Sequence, residues 1–394
     1  MRIQIKKFTL KILMLFPIFT LLAFIPSGTT ILSAVGMVCM LYSILQSRAK
    51  LTHVICMVSV ILLSIWGFSV TSEAVINPNE AIYFGYLSVF ATFWVSNKRA
   101  LMEYFYREKR YIKGICIIWC VLVVFSMLLP SSYDSGVFVS FAIDTFRLSP
   151  SAILIMALSG MLIATEKKQG DIVYSLIPLL AILLGSSRTY LVVGALLFCI
   201  NLSMVIKRKD IFISMAVVLA IFGGIIVMNS SMGAKFLSSM MEHEYIDEAA
   251  VFTSGRSNFW TEDLEAFEKQ SLKKRVLGCG LNFIRITNGA VPGTDMRGIW
   301  AHNDFIQIVI TYGYVGLVLY LFSMRMIFTK FSRLRLPLTV NLAIFMIWFF
   351  NAMFNMYFTY ACSMIALPVV IMACEVYKLN HKTWFVGKEE VFKR

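Results

Sequence analysis

Apolar residues in this chain gather into long uninterrupted runs, without the alternation of a half-buried strand or the spacing of an amphipathic surface helix. Between Leu10 and Tyr377 such runs recur at roughly 17 to 22 residues, the length needed to cross a hydrocarbon core of about 30 Å. They predict twelve spans, at about 10–26, 29–46, 51–71, 81–97, 112–129, 150–165, 171–186, 189–206, 211–228, 304–324, 338–354 and 358–377. In lipid the backbone must satisfy its own hydrogen bonds, and the runs lack the dyad pattern of barrel strands, so the spans are expected to be helices. One stretch breaks the pattern. Asn229 to Asn303, about 75 residues, is polar and too long for a turn. The expected fold is therefore an all-α polytopic membrane protein of about twelve transmembrane helices. Residues 1–394 form a single membrane domain, with one long external loop (229–303) between helices 9 and 10.

Composition agrees: 59% of residues are hydrophobic and 15% charged, far from soluble averages. The net charge of +14 suggests nucleic acid only until the charges are placed. With the N-terminus inside, 26 of the 36 Lys and Arg fall on the cytoplasmic side and 10 outside, eight of those in the long loop, which does not vote on orientation. The basic charge is thus a topology signal. It places both termini in the cytoplasm and argues against a nucleic-acid partner. Phe24-Ile25-Pro26-Ser27 is a poor cleavage site, so the first span reads as a retained helix. Arg99–Lys113, basic and aromatic, suits a cytoplasmic interfacial helix; Ser131–Ser149 reads as an outer segment carrying Asp134, Asp144 and Arg147. The eight cysteines show no metal or redox spacing, and Cys279 alone lies in the loop.

The residues that could carry chemistry share the outer face. Arg188 follows Ser186-Ser187 in a minimal turn between two short spans; there it can grip phosphate bidentately or snorkel to headgroups. Ser254 is the expected N-cap of a helix from Gly255 to Leu272, with Phe259, Trp260, Leu264 and Phe267 as its apolar stripe and Glu262, Asp263, Glu265 and Glu268 on its exposed face. Arg256 in the first turn would make an anion site with the free N–H groups, or pair with a nearby glutamate. His302, where the loop re-enters the membrane, can take a proton from a hydroxyl or serve as a helix cap, with Asn303 and Asp304 suited to capping beside it. Gly278-Cys279-Gly280 reads as little more than a turn. No zinc spacing, P-loop, nucleophile elbow or dinucleotide fingerprint is present, nor an acidic pair for a divalent metal in the first outer loop.

Taken together, Gly185-Ser186-Ser187-Arg188-Thr189, Ser254-Gly255-Arg256 with Trp260, Gly278-Cys279-Gly280, and His302-Asn303-Asp304 with Gly313 and Gly316 resemble the bacterial O-antigen polymerase and O-antigen ligase superfamily (the Wzy and WaaL type proteins). The motifs cover about residues 170–325; the first 150 match only as apolar spans. The resemblance implies a GT-C-like, metal-independent, inverting glycosyltransferase without cofactor, at the outer face of the bacterial cytoplasmic membrane. Its donor would be a glycan on undecaprenyl diphosphate, and its partners would include other polysaccharide-assembly proteins such as a chain-length regulator. By the same resemblance Arg188 and Arg256 bind the diphosphate and His302 activates the acceptor hydroxyl, with Ser254, Trp260 and Asn303 in support. The Ser-Gly-Arg and His-Asn-Asp forms favour a polymerase over a ligase transferring to lipid A–core. A flippase would also have twelve spans, but transporters place ionisable groups near the midplane and in related halves.

Overall fold

Eleven of the twelve predicted spans coincide with helices in the computed structural model, which describes residues 2–25, 28–71, 79–134, 136–166, 168–206, 256–291, 298–328 and 336–380. The ninth, 211–228, lies outside the described residues. The first eight helices are α1 (Arg2–Leu21), α2 (Gly28–Leu45), α3 (Leu51–Val70), α4 (Asn79–Arg107), α5 (Lys109–Met127), α6 (Thr145–Glu166), α7 (Val173–Leu184) and α8 (Arg188–Val205). The loop carries α9 (Arg256–Glu268), α10 (Leu272–Leu277) and α11 (Phe283–Thr287). The chain then returns through α12 (Asp304–Phe328), α13 (Leu338–Phe354) and α14 (Ala361–Asn380). Seven of these, α2, α3, α5, α6, α8, α12 and α14, are long and apolar enough to cross a membrane. A two-residue antiparallel hairpin, β1 (Tyr133–Asp134) with β2 (Val137–Phe138), interrupts the helices in the outer segment.

Helix α6 is buried along its whole apolar length, and α14 packs along it, so this pair forms the centre of the bundle. Their stretches are apolar all round, as a core helix requires. The rim helices α2, α3 and α5 leave Leu45, Leu51, Leu62, Val121 and Leu128 exposed, which is where lipid would lie. Asn201, buried inside the bundle, is partnered there: its Nδ2 donates to Met156 O (2.9 Å) and Ser175 Oγ (2.7 Å).

Two sequence expectations need correction. Arg99–Lys113 is no separate surface helix: α4 continues to Arg107 with Tyr104 and Phe105 buried, and α5 starts two residues later. Burial of the two aromatics holds the stretch in the bundle. The expected loop helix from Gly255 to Leu272 is two helices, breaking at 269–271. Within it Phe267 of the predicted stripe is buried, but Asp263 is fully buried and Leu264 exposed, because α9 turns its Asp263–Phe267 side toward α11 and α12.

The Gly278-Cys279-Gly280 segment is more than a turn. Helix α12 is broken at Gly313 (φ 71°, ψ −174°). Broken backbone within lipid must be re-satisfied by protein, and the loop does so: Cys279 N–H donates to Ile310 O (2.8 Å) and Gly280 N–H to Thr311 O (3.2 Å). The approach leaves no room for side chains. A Cβ on Gly278 (φ 99°) would sit 2.1 Å from Thr311 O, and one on Gly313 would sit 2.2 Å from Val276 O. Cys279 is buried there, and burial pushes its thiol up to about 11, so it is no thiolate nucleophile.

Candidate active site

Residues 185–187 alone connect α7 to α8. Ser186 adopts φ 51° and Gly185 lies too close to Ala181 O and Phe138 O for a comfortable Cβ. This tight reversal starts α8 at Arg188, as the short spans predicted. The next residue locates it: Thr189 Oγ1 donates to the carbonyl of Phe354, the last residue of α13 (3.4 Å).

The same carbonyl receives Arg256. Its Nη1 donates to Phe354 O, so the first residue of α9 and the start of α8 meet at one acceptor. Arg256 is half-buried and meets this carbonyl, where a nearby glutamate was the alternative. Burial lowers its pKa and the positive charge of Arg188 lowers it further. The two guanidinium groups are therefore close enough to repel. Ser254 and its capping role lie outside the described residues.

Trp260, one turn further along α9, donates from Nε1 to Ala301 O (2.6 Å). Ala301 N–H in turn donates to Gln307 Oε1 (3.2 Å). The peptide units on both sides of Ala301 are thus pinned, which fixes the entry to His302. The N-cap of α12 is Asn303, whose Oδ1 accepts the N–H groups of Phe305 (3.0 Å) and Ile306 (3.1 Å). His302 itself caps nothing. It is held at φ 50°, a conformation costly for a non-glycine residue and retained only where surroundings over-determine it. Phe146, at the start of α6, stacks against its ring at 6.1 Å. Nδ1 is buried with no hydrogen-bond partner. Burial, with Arg256 adding to it, pulls the imidazole down to about 4, so it is neutral at neutral pH.

Asp304, expected to help cap the helix, is instead fully buried. It accepts the hydroxyl proton of Tyr320 (2.6 Å), and the N–H groups of Tyr357 and Phe358 stabilise its carboxyl group. That ties the start of α12 to the α13–α14 turn carrying Phe354 and Tyr360.

His302 forms part of the wall of a cavity of about 330 Å³. Five helix ends converge around it: the end of α1, the starts of α2, α4 and α6, and the start of α14 with the turn before it. The wall is rich in hydroxyls, from Thr20, Thr29, Thr30, Ser33, Tyr83 and Tyr360. Arg147, paired with Asp144 (3.3 Å), also faces it. Arg188 and Arg256 are not in this wall; Arg256 meets the Phe354 carbonyl beside Thr189, and Tyr360 feels the charges of both Arg256 and Arg147. Among the described residues no three His, Cys, Asp or Glu side chains form a group able to hold a metal ion.

Sequence reasoning missed the far side of the cavity. Glu80, in the first turn of α4, is 1% exposed, and its Oε1 accepts from Gln307 Nε2 (2.9 Å) and Thr311 Oγ1 (2.8 Å). One signal was available: Gln307 and Thr311 lie i,i+4 on a predicted span, polar positions that share one helix face. Their partner, 227 residues earlier than Gln307, had none. The Phe354 carbonyl, being backbone, carries no side-chain signature at all.

A sequence model of the O-antigen ligase family matches residues 173–321. The matched segment opens at the first residue of α7 and closes inside α12, and so contains Arg188, Arg256, Trp260, the Gly-Cys-Gly loop and His302. The resemblance to the O-antigen polymerase and ligase superfamily is borne out over that stretch. No curated protein matches the chain.

Proposed function

We propose that this protein is an integral-membrane glycosyltransferase that polymerises a surface polysaccharide such as O-antigen. It would move a glycan from undecaprenyl diphosphate to a sugar hydroxyl at the outer face of the bacterial cytoplasmic membrane. The observation that carries this reading is the meeting of Arg256 and the Arg188 turn at the Phe354 carbonyl, beside a hydroxyl-lined cavity walled by a neutral His302. Two half-buried guanidinium groups, one lowered in pKa by burial and by the other's charge, are stabilised when a diphosphate binds between them.

In the reaction the acceptor hydroxyl oxygen bonds to the anomeric carbon on the face opposite the diphosphate. The bond from that carbon to the diphosphate oxygen breaks, the electron pair leaves with the diphosphate, and the configuration inverts. The hydroxyl proton passes to His302. Charge growing on the leaving group is met by Arg188 and Arg256, so no metal is required at this step. Since Arg256 is part of what depresses His302, the arriving anion offsets that charge and makes the imidazole more basic when donor is bound. The polymerase reading, over the ligase, follows the Ser254-Gly255-Arg256 form with Trp260 downstream.

The test uses the full chain in lipid vesicles with an undecaprenyl-diphosphate-linked repeat unit and EDTA. A ladder of lengthened lipid-linked products is expected. Strict dependence on added magnesium or manganese would remove the arginine-based account; transfer confined to lipid A–core would convert polymerase to ligase.

A further inference from the structure

Glu80 is a buried carboxyl group with an unpartnered oxygen that also lines the cavity. One carboxyl oxygen, Oε1, is held by two neutral donors from α12, Gln307 Nε2 and Thr311 Oγ1. The other, Oε2, is buried without a hydrogen-bond partner. A buried polar oxygen left unmade costs the full desolvation of that group, and such exceptions call for an explanation. Glu80 also lines the same cavity as His302. It lies outside the segment that matches the O-antigen ligase family model.

The cavity indicates what completes the group. Its volume of about 330 Å³ is at the lower end of the range of small-molecule sites, roughly 300–1,000 Å³. Its hydroxyls and tyrosines suit a neutral polyol with an apolar face better than an acyl chain. Arg147 is already paired with Asp144. Glu80 adds to this wall a carboxyl oxygen without a partner, able to accept from a hydroxyl or amide donor. Gln307 connects it to the base: Oε1 of Gln307 accepts from Ala301 N–H, one residue before His302, while Nε2 holds Glu80.

We propose that Glu80 is a specificity-determining residue that binds the acceptor saccharide, its Oε2 accepting a hydrogen bond from a hydroxyl or amide of the acceptor sugar and so presenting the attacking hydroxyl to His302. This rests on the glycosyl-transfer reading of the site. It adds an acceptor contact contributed by α4 to a site whose donor-facing arginines stand on α8 and α9.

The experiment measures transfer by the full chain in vesicles, varying the donor and a short-tailed, labelled acceptor separately. Glu80→Gln preserves shape but replaces one oxygen with a donor. The acceptor KM should rise about 10- to 100-fold, the cost of leaving a buried polar group without its hydrogen bond, while the donor KM stays within about twofold. Single-deoxy acceptors provide a check that does not depend on how well the variant folds. One deoxy position should cost the wild type a similar factor and cost Glu80→Gln nothing further. An unchanged acceptor KM, an equal rise for donor and acceptor, or additivity at every deoxy position would overturn the assignment of Glu80 while leaving glycosyl transfer intact. A wild-type protein that transfers to no lipid-linked glycan would overturn both.

Discussion

The two ends of the bundle treat charge in opposite ways. Where α4 runs into α5, basic side chains meet carboxylates: Lys113 pairs with Asp171 (2.8 Å), Arg107 with Glu103 (2.6 Å), and Lys98 with Glu375. At the other end Arg256 is turned onto a backbone carbonyl, Glu80 onto a neutral amide and hydroxyl, and His302 Nδ1 onto nothing. Among the described residues Asp144 and Arg147, three residues apart, form an ion pair there. A buried polar or charged group without a matching partner is costly, so the second end is where a bound ligand would add most. An anion would suit the arginines and a hydroxyl donor would suit Glu80.

Removing groups from the open end should break that comparison most visibly. His302→Ala is expected to slow transfer by about 10²–10⁴ with donor binding retained, the usual contribution of a general base. Arg188→Ala and Arg256→Ala should impair both donor binding and turnover, with lysine rescuing only in part because a point charge lacks the bidentate fork. Equilibrium binding of labelled donor beside single-turnover rates separates the two classes; full activity of His302→Ala would move the base elsewhere.

Backbone changes come next and should read out as stability. Gly313→Ala or Gly278→Ala forces a Cβ against a carbonyl at positive φ, at a cost of at least about 1–3 kcal/mol. Thermal unfolding of the solubilised protein should fall with activity in these variants, whereas Arg256→Ala should lose activity alone. An unshifted unfolding temperature for Gly313→Ala would deny the loop its part in holding the broken helix.

The pH dependence is subtler. The folded imidazole of His302 titrates near 4, against about 6.5 when unfolded. Between those values the unfolded chain binds more protons, so stability contributed here is present above about pH 6.5 and is lost as pH falls toward 4. His302→Gln should flatten that slope. In kcat/KM, which reports free enzyme, the acid limb of His302 should fall near 4; a limb at 6.5 would mean the imidazole is not buried beside Arg256.

The smallest effect belongs to the closed end. Arg107→Ala breaks an exposed i,i+4 pair and should change stability by about 0.2–1 kcal/mol with transfer unaltered. Substantial loss of activity there would erase the contrast between the ends.

Much of the fold was legible because its signal is a run of like residues. Apolar length alone locates eleven described helices, and a minimal Ser-Ser turn between short spans announces the hairpin at Arg188. The loop was harder. An apolar stripe of Phe259, Trp260, Leu264 and Phe267 cannot reveal that Asp263 faces inward, where it accepts from Asn288 (3.2 Å) and burial pushes its carboxyl up to about 6. That choice depends on a neighbour 25 residues away.

The sequence by itself determined the apolar spans and which residue types, two arginines and a histidine, stand at the ends of helices. Hydrophobic length and charge bias are local sums, and any chain with them must place its spans and polar ends in this way. The tertiary structure decided what those ends do together: the Phe354 carbonyl shared by the α8 turn and Arg256, the pinned Ala301 that holds His302 at positive φ, and Glu80 brought across to Gln307 and Thr311. Apart from the Ala301–Gln307 bond, these are contacts between groups 41 to 231 residues apart, several of them backbone. Their energy exists only once helix packing has removed water from between them.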